Sequence, residues 1–181
     1  MLLLSSVNDR RNALHAQVER WGSEAKRLAD AGREVAALDL YRKASDAVPG
    51  APWLQLRTAE LARKLRQNDL AISYFRRSAA AFISAGFQKR AIAPLRAAWT
   101  TAKEGVPRSA AAFVEISMEL SQLQKQLGLP SDAAVTIEYA NDALRRANLK
   151  EMLELEDAPR ESGIPVHPSA VPLPPGRASS G

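Results

Sequence analysis

His15 and His167 are the two side chains able to exchange a proton near neutral pH, and they sit at opposite ends of the 181-residue chain. General-base catalysis would need one of them within hydrogen-bond reach of a nucleophile. His15 falls in an amphipathic stretch and His167 among prolines, so both read as surface histidines. Cysteine is absent, which removes thiolate nucleophiles, thiolate metal sites and disulfides. There is no Gly-x-Ser-x-Gly turn, no phosphate-binding glycine loop and no HExxH pair. Carboxylates crowd together only in ELEDAPRE at 154–161. That run reads as a solvated helix end, because a paired acid and base or a metal site draws its groups from several elements. The sequence therefore assigns no catalytic residue, no cofactor and no metal ligand, and directs attention to surface.

The surface is unevenly charged. The net charge of +5 hides eleven basic against three acidic residues in 51–108, and four against nine in 109–157. Such asymmetry points to an interaction surface, the other reading being a solvated face. The opening MLLLSSVNDRR is too short an apolar run for a signal peptide, and no later run reaches membrane-spanning length. The expectation is a soluble cytoplasmic protein without membrane insertion.

The elements that must present this surface repeat. A shift of 34 residues carries Ala25 to Ala59, Ala37 to Ala71, Tyr41 to Phe75 and Ala44 to Ser78. A glycine followed five residues later by alanine marks Gly32 with Ala37, Gly86 with Ala91 and Gly128 with Ala133, while Arg66 stands where the second unit would have glycine. Glycine supplies the left-handed cap that ends a helix, and small residues let two helices approach closely. One pair cannot bury both its faces, so pairs must stack. Over residues 18–51, Trp21, Ala25, Leu28, Gly32, Ala37, Tyr41, Ala44 and Pro49 stand at the offsets of the tetratricopeptide repeat. The chain resembles that family over residues 18–147, with a shared helix around Leu70 to Ser84 absorbing a 20-residue step.

The periodicity predicts an all-α solenoid of stacked antiparallel helix pairs, about seven helices, near 6–30, 33–47, 52–66, 69–84, 87–104, 109–127 and 132–155. In the sixth, Phe113, Ile116, Leu120, Leu123 and Leu127 form a stripe; in the seventh, Ala133, Ile137, Ala140 and Leu144 answer it. Pro94 should bend the fifth. Residues 1–157 form the repeat domain and 158–181 a proline-rich disordered tail, in which Pro172, Pro175 and Arg177 fit a PxxPxR ligand pattern.

The resemblance implies a groove lined by the first helix of each pair. Placing the third helix there selects Trp53, Arg57, Glu60, Arg63 and Lys64, and the shared fourth helix adds Arg76 and Arg77. Trp53 also fits as core at a repeat boundary. The clamp of lysine and asparagine residues by which the family holds a terminal carboxylate is not reproduced at these positions. The function expected is a non-enzymatic adaptor, scaffold or chaperone-like module that binds an acidic extended or helical protein segment in a partly basic groove. The alternative is nucleic-acid binding by the basic middle block through phosphate contacts alone. The sequence leaves the oligomeric state open.

Overall fold

The computed structural model describes residues 2–104 and 110–156, and the side chains of 8–104 and 110–150. The tail from 158 onward, with its PxxPxR pattern and His167, lies outside the described residues. Among these residues there are seven helices and no strand: α1 (Leu2–Asp30), α2 (Glu34–Ala47), α3 (Pro52–Lys64), α4 (Asn68–Ser84), α5 (Gln88–Glu104), α6 (Ala110–Gln126) and α7 (Pro130–Glu156).

Four of the turns share one geometry. Gly32, Arg66, Gly86 and Gly128 have φ of 74°, 61°, 81° and 76°. After each, two amide N–H groups reach back to the preceding helix, as Gly32 does to the Ala29 carbonyl and Arg33 to the Leu28 carbonyl. Arg66 and Gln67 repeat this on Arg63 and Ala62, Gly86 and Phe87 on Ile83 and Phe82, Gly128 and Leu129 on Lys125 and Gln124. These are Schellman caps, which satisfy the last carbonyls of a helix through a left-handed residue.

Counting from that residue reveals a common frame. Seven positions before it stand Ala25, Ala59, Ala79 and Ser121; five after it, Ala37, Ala71, Ala91 and Ala133; twelve after it, Ala44, Ser78, Ala98 and Ala140. All twelve are buried. The ninth position carries Tyr41, Phe75, Leu95 and Ile137, which fill the space the small residues leave. The helix α4 serves twice: it follows the Arg66 cap as the second helix of one pair and precedes the Gly86 cap as the first helix of the next. Accordingly it packs extensively against both α3 and α5, whereas α2 meets α3, and α5 meets α6, over less of their length.

Side chains also join helices two apart. Trp53 of α3 lies beside Gly22 of α1, Tyr74 and Arg77 of α4 hold Asp46 of α2, Arg76 of α4 meets α6, and Arg96 of α5 meets Asp132 of α7. The helices therefore stack in two rows, α1-α3-α5-α7 and α2-α4-α6, around a core containing Leu54, Phe75, Phe113 and Ile116. The chain is an all-α solenoid.

One local expectation changes. Leu144 is exposed, and the buried face of α7 runs through Ala133, Thr136, Ala140 and Ala143 instead. The close approach of α6 selects the small residues over the large one. At Pro94 the helix α5 continues to Glu104, with the proline itself buried.

Candidate functional site

Five of the seven candidate residues divide between two clefts, and Trp53 and Arg63 line neither. Arg57, Glu60 and Lys64 line a recess of about 290 Å³ between α1, α2 and α3, together with Lys26, Asp30 and Tyr41. Arg76 and Arg77 line a cleft of about 820 Å³ between α4 and α6. Because α4 changes role between pairs, the first helices of the leading pairs (α1, α3) lie in one row and those of the later pairs (α4, α6) in the other. The two sets do not form the single wall expected from the sequence.

Nor is the wall freely basic. Arg57 pairs with Glu60 at 3.1 Å, Lys64 with Glu34, and Arg77 with Asp46 at 2.9 Å while stacking over Tyr74 at 4.5 Å. Arg76 lies between Glu115, at 3.0 Å, and Glu119. The Glu119 hydrogen bond is the main reason the Arg76 guanidinium holds its proton even more tightly than usual. Arg63 sits over the Phe75 ring at 5.5 Å. Across the other row, Arg96 reaches Asp132 at 2.6 Å. Lys64, Arg76, Arg77 and Arg96 of the basic middle block are thus laid against carboxylates from the blocks on either side, which offsets part of the charge asymmetry of the sequence. Trp53 is 54% exposed, so it is not core.

The α4–α6 cleft is the larger of the two. Its apolar lining is Ile72, Ala79, Ala80, Ile83, Leu95 and Leu123, and its charged groups are Asp69 in the first turn of α4 and Arg76, Arg77 and Glu119 near its middle. Sequence reasoning found the two arginines and missed the apolar lining. The available signal was Ala80, which stands where the other units carry Lys26, Glu60 and Gln122.

A smaller cavity of about 440 Å³ lies between α5, α6 and α7, lined by Lys103, Phe113, Tyr139 and Ala143 among others. Lys103 Nζ stands 3.9 Å from the Tyr139 ring centroid and 5.2 Å from that of Trp99, whose indole N–H donates to Ser117 Oγ at 2.9 Å. Among the described residues no group of three or more His, Asp or Glu side chains is placed to hold a metal ion, and no helix is long and apolar enough to cross a membrane.

No protein-family model matches the chain, and no curated protein matches it. Two solved structures are similar in outline. One is the crystal structure of MamA, 14% identical with a TM-score of 0.34, covering 75% of this chain and 85% of that one. The other is BtubC (BKLC) from P. vanneervenii, 14% identical with a TM-score of 0.46, covering 94% of this chain and 76% of that one. The fold assignment rests on the helix packing and the four repeated caps described above.

Proposed function

We propose that the chain is a non-enzymatic protein-interaction scaffold of the tetratricopeptide type, which holds an amphipathic helical segment in the cleft between α4 and α6. The observation that carries this reading is the cleft itself: an open trough whose lining is largely apolar, with the Arg76–Glu119 pair at its middle. Apolar side chains at every third or fourth position of a helix would meet such a lining, while its polar face stays in water. Since the cations on the rim are already paired, shape and apolar burial contribute more to the contact than attraction to an acidic partner, and the earlier expectation of an acidic ligand is revised in that sense. The same pairing leaves the nucleic-acid alternative without a stripe of uncommitted cations.

The test is photo-crosslinking in cells of the native host, with the crosslinking residue placed at Ala80 in the cleft or at Lys43 on the exposed face of α2. The expected result is a defined protein adduct from position 80, abolished by Ile83→Asp and absent from position 43. Adducts of equal yield from both positions, or none from position 80, would overturn the assignment.

A further inference from the structure

The stripe by which α1 packs does not end where its cover ends. Val18, Trp21, Ala25 and Leu28, spaced three, four and three apart, lie in or against the core. The same spacing continues toward the N-terminus through Leu14, Arg11, Val7 and Leu4. Yet residues 8–16 are all exposed, Leu14 by 41%. The cause is length: α1 has 29 residues and its antiparallel neighbour α2 has 14, so α1 overshoots by about 22 Å at 1.5 Å per residue. The helix is continuous from Leu2 to Asp30, so this arm has no hinge by which to fold back onto its own chain.

The α4–α6 cleft offers the complementary surface. Its two walls run parallel, and Arg76 of one meets Glu115 and Glu119 of the other. From Asp69 to Ile83 the trough is about 21 Å long. Toward Ile83 its lining holds Gln122 and Gln126 beside apolar side chains, with Phe87 and Leu129 exposed by 50% and 39% at the two adjoining caps. Seven residues before Ile83, two carboxylates, Glu115 and Glu119, surround the single guanidinium of Arg76, which leaves an excess negative charge there. Along the arm, Arg11 and Leu14 stand exposed on this stripe. Set antiparallel to α4 and α6 with Arg11 level with Glu119, the arm brings Leu14 level with Ser73.

We propose that the N-terminal arm of one copy lies antiparallel in the α4–α6 cleft of a second copy, so that the chain assembles head to tail. This rests on the reading of the cleft as a helix-docking site. Arm and cleft are different surfaces, so a pair of copies keeps one arm and one cleft free and the assembly is open-ended unless the rotation closes a ring.

The experiment is sedimentation equilibrium of the full-length protein over a wide concentration range. The wild type should exceed the monomer mass and grow with concentration. Leu14→Glu, with the arm spoiled, and Ala80→Arg, with the cleft filled, should each remain monomeric while keeping wild-type helicity. Mixed together they should form a dimer and nothing larger, because one intact arm meets one intact cleft. Arg11→Glu and Ser73→Arg serve as second variants of each surface and should weaken assembly at least tenfold. A monomeric wild type, an Ala80→Arg variant that assembles normally, or a mixture that stays monomeric would each overturn the proposal. A monomeric wild type that still gives the position-80 crosslink to a different protein would overturn self-assembly and leave the scaffold function standing.

Discussion

At Arg66 the backbone adopts the left-handed conformation that three glycines supply at the equivalent turns. An L side chain there carries a steric penalty of about 1 kcal/mol, and the cap hydrogen bonds made by Arg66 and Gln67 hold it in place. Arg66→Gly should therefore stabilise the fold by about 1 kcal/mol, read as a shift in the denaturant midpoint; an unchanged or lowered midpoint would show that the arginine side chain compensates for its backbone. The reverse change, Gly32→Ala, should cost about 1–2 kcal/mol through conformation alone, since an added β-carbon would meet nothing within 4 Å. Tyr41 is the residue whose protonation bears on stability. Burial raises its pKa, so the folded state keeps the phenol proton more tightly than the unfolded chain. Its contribution is complete below the ordinary tyrosine value of about 10 and is lost as pH rises through the higher folded value. Wild type should thus lose stability faster than Tyr41→Phe as pH rises above about 10, and parallel losses would remove the assignment.

The helices were legible because each is punctuated. Gly32, Gly86 and Gly128 announce three of the four Schellman caps, and Pro49 follows the end of α2. The fourth cap lies at an arginine, which side-chain preference alone would not select, but its distance to Ala71 repeats the glycine-to-alanine interval of the others. What the spacing obscured was the regularity of the later units. Measured from alanine to alanine they appear uneven; measured from each cap, every one has small residues at the same three positions. The face of α7 was misread at Leu144 because a size-based pattern favours leucine, while the partner helix leaves room only for Thr136, Ala140 and Ala143. Overpacking tests this directly. Ala37→Trp or Ala91→Trp, at positions with no exposed surface, should each destabilise by roughly 1–3 kcal/mol or more, measured by thermal or chemical unfolding. Indifference to both would mean that the helices can separate without loss.

Across the whole molecule, the candidate site was less legible than the fold, since a linear sequence shows charges but not their partners. Arg76 and Glu119 are 43 positions apart and Arg77 and Asp46 are 31 apart, so part of the charge of a block that reads as strongly basic is paired once rows form. The apolar lining of the cleft, built of alanine, isoleucine and leucine, was hidden for a different reason: on a helix, a residue facing a trough and one facing the core carry the same pattern. Arg76→Met should leave Glu115 and Glu119 facing each other without their shared cation and lower stability by about 1 kcal/mol, more at low than at high salt. A salt-independent change would assign the loss to packing. The double service of α4 reaches beyond stability. A helical array ordinarily lengthens or shortens by whole pairs, because each pair ends in the state in which it began. Here the strands of helix on either side of α4 are out of phase by one helix, so removing or duplicating α4 alone would exchange the inner and outer faces of everything downstream.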